Sequence, residues 1–261
     1  MEPDIAGFFQ EPADYYPPSP PPTSQVYTLQ SGKTITLHLV GHSPLEAHHL
    51  WNGSRIISQY FETHPSEVQG RTVLELGAGA GLPSIVCAIL GAQKTVVTDY
   101  PDPDLVVNMK KNILGCELIP VADNGDVDKS AAIVADGYVW GADPTHLLAH
   151  LEPVKRDKFD VLILADLLFR HSEHGNMIRS IEATMSRKGT SKAFVCFTSY
   201  RPWLQHKDLA FFELARERGF RVEKILEEKM SKAMFENDPG DEEVRKTVTA
   251  FTLRWPDEMC M

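Results

Sequence analysis

The stretch Val73-Leu74-Glu75-Leu76-Gly77-Ala78-Gly79-Ala80-Gly81-Leu82-Pro83 sets glycines at alternate positions between an apolar run and a helix-forming segment. Such spacing lets the backbone turn sharply and brings a ligand close to exposed helix N–H groups. A dinucleotide fingerprint needs GxGxxG; here the third glycine falls one place early and Leu82 stands where that glycine would be. Glu75, two residues ahead of the loop, would crowd a pyrophosphate. Its carboxylate better suits a ligand with an amino group and a positive charge, such as the methionyl end of S-adenosylmethionine. Asp99 closes the run Val96-Val97-Thr98-Asp99, 22 residues after Gly77, where an acid can accept hydrogen bonds from both ribose hydroxyls. A third carboxylate, Asp166, follows another apolar run in Ala165-Asp166-Leu167-Leu168-Phe169-Arg170-His171. The carboxyl ends of strands in an open α/β sheet face the reaction crevice, so Asp166 is the first candidate to orient an acceptor by hydrogen bond. His171, as a neutral imidazole, can accept a proton. Glu173, close to His174, reads as part of a helix-capping cluster begun by Ser172. Tyr200-Arg201-Pro202-Trp203 belongs to the same edge, either as an acceptor wall or as a loop closure.

These residues need a scaffold, and the periodicity supplies one. Short apolar runs at Thr72–Leu76, Lys94–Thr98, Cys116–Val121, Phe159–Leu164 and Ala193–Thr198 alternate with helical segments at Leu82–Leu90, Asp102–Leu114, Ser172–Met185 and Lys207–Arg218. That alternation predicts a parallel sheet covered on both faces. Phe220–Ile225 and Val248–Arg254 are separated by an acidic, turn-rich stretch with Pro239-Gly240, which predicts an antiparallel hairpin at the sheet edge. The expected fold class is therefore α/β, a Rossmann-like seven-stranded sheet of five parallel strands plus an antiparallel edge hairpin, with helices on both faces. An N-terminal extension precedes it: a hairpin around Ser31-Gly32, then a helix from about Leu45 to Phe61, interrupted at Asn52-Gly53. Residues 1–24, with the proline run at 17–22, read as a flexible tail, and 25–261 as one domain.

Composition narrows the function classes. The chain has 261 residues, 43% hydrophobic and 24% charged, enough for a sizeable core without disulfides or metal. A formal net charge of -10 opposes tight binding to a phosphate backbone and suits a basic protein or peptide partner. No apolar run approaches the ~20 residues needed to cross a bilayer, and no secretory signal is visible. Cys87, Cys116, Cys196 and Cys260 are scattered, with no zinc spacing, and His171-Ser172-Glu173-His174 is not HExxH. The expectation is a cytoplasmic monomer with no metal, no nucleic-acid partner and no membrane partner.

VLELGAGAGLPSI followed by VVTDYPD resembles the seven-strand methyltransferases. With LWNGSRIISQYF, YVWGAD and FDVLILADLLFRHSEH the chain resembles, over almost its whole length, their family 16 protein N-methyltransferases. The resemblance implies S-adenosyl-L-methionine as cofactor, contacted by Trp51, by the backbone around Gly77, Ala78 and Gly79, and by Asp99, Trp140 and Ala165. It also implies a protein acceptor: the N-terminal glycine amine and adjacent lysine of translation elongation factor 1-alpha. The physics of the residues agrees for Trp140, since a tryptophan in a loop after a strand can cover an adenine face. Asp123 lies where it could reach an adenine amine but stays outside the expected set. Related enzymes carry acid-x-x-Tyr after the fourth strand; Phe169 takes the tyrosine's place, which puts that hydroxyl contact in doubt.

Methyl transfer from a sulfonium to nitrogen requires alignment of an unprotonated amine. A lysine amine with a pKa of ~10.4 is almost wholly charged at neutral pH, and an α-amine near ~8 much less so. The Asn/Asp-Pro-Pro-aromatic motif of adenine methylation is absent, as is the Pro-Cys of cytosine C5 methylation. Two rival readings remain: a small-molecule enzyme acting on nicotinamide, which needs a closed pocket, and a non-catalytic S-adenosylmethionine-binding protein.

Overall fold

A computed structural model describes residues 20–121 and 129–260. The elements follow in the order β1 (Thr23–Thr28), β2 (Thr34–Leu39), α1 (Asn52–Thr63), β3 (Thr72–Leu76), α2 (Leu82–Ile89), β4 (Lys94–Asp99), α3 (Pro103–Gly115) and β5 (Ile133–Gly137). The second half continues α4 (Thr145–Ala149), β6 (Val161–Ala165), α5 (His174–Thr184), β7 (Lys192–Thr198), α6 (Gln205–Glu217), β8 (Arg221–Lys229), α7 (Glu242–Arg245) and β9 (Thr247–Arg254). Every residue of β3, β4 and β6 is buried, as expected of parallel strands covered on both faces. The sheet order is β5-β4-β3-β6-β7-β9-β8. From β3 the chain winds to one side through β4 and β5, then crosses back to β6 beside β3. The loops after β3 and β6 therefore meet at the point where the winding reverses, the ligand crevice of such sheets.

The expected α/β class and the edge hairpin are both present. Since β9 is antiparallel to both β7 and β8, it is the one reversed strand of the seven, slotted between them, and β8 forms the edge. Two expected elements differ. Cys116–Val121 is not a strand: Cys116 terminates α3, and Ile119 turns back to donate to the Cys116 carbonyl at 3.4 Å. Pro120, which cannot donate to a ladder, explains why the apolar run fails. The strand beside β4 is instead β5, held by pairs from Thr95↔Ile133 to Asp99↔Gly137. The helix expected over Leu45–Phe61 starts only at Asn52, where an interruption was expected, and 45–51 is loop. Phe159 forms only an isolated bridge to Met185, so the fourth strand of the series begins at Val161.

The N-terminal hairpin supports the crevice. Asn112 on α3 accepts from His38 N (2.8 Å) and donates to His38 O (2.9 Å) and Ala80 O (3.0 Å), joining β2, α3 and the glycine loop in one buried hub. Lys129, buried, donates to the carbonyls of Ile113, Leu114 and Cys116 and so caps α3, a favourable place for a cation. β1 begins at Thr23, inside the stretch read as tail; residues 1–19 and Asp123 lie outside the described residues. Among the described residues no helix is long and apolar enough to cross a membrane, and all four cysteines are free thiols.

Candidate functional site

A cavity of about 290 Å³ opens over the crevice, walled by the loops after β3, β4, β5 and β6 and by the segment ahead of α1. The glycine loop forms its floor. Gly77 adopts φ 61, and a Cβ there would come within 2.7 Å of Leu167 Cδ2 and 2.9 Å of Trp140 Cζ2. The loop is held by Ala78 N, which donates to Thr98 O (2.9 Å), and by Gly79 N, which donates to Asp99 Oδ2 (2.7 Å). Tyr100 N donates to Asp99 Oδ1 (2.7 Å). Each carboxylate oxygen thus keeps lone-pair capacity for a further donor. Burial raises the Asp99 pKa, opposed by these two backbone donors.

Trp51, Gly77, Ala78, Gly79, Asp99, Trp140, Ala165 and Asp166 all line this cavity. Trp51 sits at the N-terminus of α1 with its indole N–H donating to Glu46 O at 3.0 Å. Its ring lies near-parallel to Phe169, with 6.3 Å between centroids, and 5.0 Å from Tyr200. Trp140 stands in the loop after β5, where Tyr138 O–H donates to Ala142 O and Gly141 N to Ser180 Oγ.

Asp166 has φ 56, a left-handed backbone that non-glycine residues adopt at some cost and that is enriched where function over-determines geometry. Its Oδ1 accepts from Thr198 N (2.9 Å) and its Oδ2 from Gly53 N (2.5 Å). Gly53 must be glycine, since a Cβ would lie 2.5 Å from that same Oδ2. Burial dominates these donors and pushes the Asp166 pKa up to about 7. The buried Tyr200 hydroxyl lies close to Thr198 and Asn52 without closing a well-aligned hydrogen bond, and burial pushes its pKa well up.

Two expected residues are placed elsewhere. Glu75 does not reach the cavity wall. It is fully buried under the start of α2, where its Oε2 accepts from Ser84 N (2.9 Å) and Ser84 Oγ (2.5 Å), and burial raises its pKa to about 8. It braces the loop from beneath, capping the helix from the strand. His171 does not line this cavity: its Nε2 pairs with Asp208 Oδ1 at 2.7 Å, and Ser199 Oγ donates to Asp208 Oδ2 at 2.7 Å. The imidazole thus locks α6 to the loop before α5. His171→Ala is expected to leave kcat within about threefold while lowering stability by about 1–3 kcal/mol, because the buried Asp208 keeps Ser199 but its Oδ1 loses the imidazole. Steady-state kinetics and thermal melts check the two parts separately.

The sequence reading missed several lining residues: Glu46, His49, Tyr138, Val139 and Leu167. The loop residues 45–51 carried a helical pattern that concealed their turn, in which Glu46 has φ 63. Glu46, His48 and His49 each bring one potential metal-ligand atom within 4.8 Å of the others. Burial and the neighbouring His48 lower the His49 pKa.

Solved structures of low sequence identity share the fold of this chain. A candidate S-adenosylmethionine-dependent methyltransferase of Streptococcus mutans superposes with a TM-score of 0.53 at 11% identity, over 91% of this chain and 57% of that one. A candidate transferase of Pyrococcus horikoshii gives 0.51 at 16% identity, over 90% and 73%. In sequence the likeness is much closer. A protein N-terminal and lysine N-methyltransferase of Neurospora crassa is 64% identical over 98% of this chain and 90% of that protein. One of Schizosaccharomyces pombe, with the same description, is 40% identical over 96% and 95%. The family model described as lysine methyltransferase matches residues 35–218. With the crevice at the sheet reversal and this extent of identity, the chain belongs to the lysine methyltransferase family.

Proposed function

We propose that the chain is a protein N-methyltransferase that uses S-adenosylmethionine to methylate the N-terminal glycine amine of translation elongation factor 1-alpha and the lysine beside it, acting in the cytoplasm as a monomer. The observation that supports this reading best is the pair of buried carboxylates, Asp99 at the end of β4 and Asp166 just after β6, lining one cavity. The residues present fit the cofactor. Asp99 retains acceptor capacity for ribose hydroxyls, Trp140 and Leu167 offer apolar faces to an adenine, and the open backbone at Gly77–Ala80 suits an amino-acid end. Trp51 and Ala165 would close the remaining walls, with Glu75 acting from beneath by fixing the loop. When bound, S-adenosylmethionine supplies an electrophilic methyl on a sulfonium.

The protein's own part is positioning. Asp166 is held rigidly by two backbone donors, and a free lone pair on either oxygen can accept an amine N–H and turn the nitrogen lone pair toward the donor side. Its raised pKa matches an α-amine near ~8 better than a lysine at ~10.4. Phe169, in place of a tyrosine, adds an aromatic face rather than a hydroxyl, so Asp166 is left as the acceptor for the amine N–H. The reading is tested by incubating full-length elongation factor with the enzyme and S-adenosylmethionine and weighing the factor's N-terminal peptide. Mass increments of one methyl or more on that peptide are expected; an unchanged peptide beside methylated nicotinamide would replace this reading with the small-molecule one.

A further inference from the structure

A second, more open cavity of about 560 Å³ adjoins the first and shares Glu46, His49, Trp51, Phe169 and Arg170 with it. Whatever occupies it lies one wall of side chains from the donor crevice. We infer that this second cavity is the seat of the acceptor's extended N-terminal tail, with Asp238 reading a cationic side chain and Phe235 fixing the tail's path. The inference rests on the protein-methyltransferase reading and deepens it.

The roof of this cavity is the return loop between β8 and β9, and the loop is built rather than draped. Phe235 packs at 5.2 Å from His49, 5.7 Å from Trp51 and 5.8 Å from Tyr200, ring centroid to ring centroid. The buried Arg245 donates to the Phe235 carbonyl at 2.6 Å, fixing the backbone that carries the ring. Farther along, Gly240 sits so close to Pro202 and Trp203 that a Cβ would come within 3.0–3.3 Å of them. The loop therefore joins the loop after β7 in a continuous rim.

The charges around the rim are sorted. Glu236 is paired with Lys232, and Glu243 with Lys229 and Lys246. Asp238, which faces the cavity, has no salt-bridge partner among the described residues, and Glu46 on the shared wall has only a distant His48 at 3.9 Å. Two carboxylates are thus left for a cation from outside. The arginines of the same cavity are committed to framing it: Arg170 donates to Pro44 O (3.0 Å) and Arg201 to Phe169 O (2.9 Å). Their remaining N–H groups suit an occupant rich in carbonyl acceptors, of which an extended peptide has one per residue and nicotinamide a single one. Aromatic faces beside carboxylates favour an alkylammonium, and methylation leaves that preference intact.

The test is binding, read apart from turnover. The full chain, saturated with S-adenosylhomocysteine, is titrated against a fluorescent ten-residue peptide with the free N-terminus of the elongation factor, and against the same peptide with norleucine for the lysine next to the leading glycine. Phe235→Ala is expected to weaken peptide binding about tenfold and Asp238→Asn about fivefold, typical of a packed aromatic anchor and at the upper end for an exposed charge pair. Glu236→Gln, the same charge change two residues away, leaves it unaltered. The norleucine peptide binds the wild type more weakly and is indifferent to Asp238→Asn. Affinity for S-adenosylhomocysteine stays level in all variants, which separates this effect from misfolding. Unchanged peptide affinity in both Phe235→Ala and Asp238→Asn, or an Asp238→Asn loss that persists with norleucine, overturns the inference. Peptide held here without methyl transfer would remove the proposed function and keep this site; peptide methylated with wild-type KM by both variants would do the reverse.

Discussion

Gly77→Val is expected to weaken S-adenosylmethionine binding at least about 100-fold, close to 2.8 kcal/mol, and to reduce methyl transfer in proportion. Two costs combine. The residue's φ of 61 lies in the left-handed region, where a β-branched side chain is strained by roughly 1–2 kcal/mol. The new carbons would also meet Leu167 and Trp140, both cavity walls, inside van der Waals contact. Whichever side yields, the slot between loop and wall closes or the loop leaves its bonds to Thr98 and Asp99. Calorimetry with the purified variant measures the loss. Binding within threefold of wild type would show that the glycine loop is not the floor of the donor site.

The second large effect is at Asp166. Asp166→Asn is nearly isosteric, yet an amide has one oxygen where the carboxylate offers two, and both are occupied by backbone N–H groups of Gly53 and Thr198. One donor must then face the amide's NH2 in a buried site, at a cost of about 1–3 kcal/mol. The amine would also lose its acceptor. We expect kcat to fall about 100-fold with S-adenosylmethionine affinity within about threefold of wild type, the pattern of an interaction made in the transition state.

The pH profile identifies the group. With the Asp166 pKa raised to about 7, wild-type kcat should rise with pH through that value as the carboxylate forms. The asparagine variant should lack that limb and keep only the one set by the acceptor amine. The sign for stability is opposite. A carboxyl raised above its unfolded value holds an extra proton in the folded state, so its stabilisation is whole below the unfolded pKa and lost as pH climbs through the folded one. Asp166 at about 7 and Glu75 at about 8 therefore predict a melting temperature that declines from about pH 4 to about pH 8 and levels off above it, while activity rises through the upper part of that window. A wild-type kcat flat from pH 6 to 8 would discard Asp166 as the amine's acceptor.

Much of this was legible in the residues themselves. The glycine spacing, Asp99 at a strand tip and the alternation of apolar runs with helices each record a local constraint, and local constraints leave local patterns. What was hidden depended on distant partners. Asn52-Gly53 reads as a helix break, but the glycine is there because Asp166, 113 residues away, approaches its backbone. His171 looks like a free base beside an acid-rich motif until Asp208 on α6 takes its Nε2. Glu75 has the right position in sequence, yet strand alternation and the start of α2 turn its carboxyl to Ser84, beneath the loop. The Cys116–Val121 run is more apolar than Ile133–Gly137, but only the latter has backbone free to pair with β4. Asp238 and Phe235, far along the chain on a turn-rich stretch, carried no motif at all.

The reversed position of β9 has a consequence for synthesis. β8 emerges from the ribosome before β9 yet has no sheet neighbour except β9, which also covers the exposed flank of β7. Until residue 254 is available, a nascent chain therefore carries an unpaired flank of β7, whose centre Ala193–Phe197 is wholly apolar, the kind of edge that recruits other chains. A frameshift or stop codon that removes only this closing strand should yield an aggregating product rather than a slightly shorter enzyme.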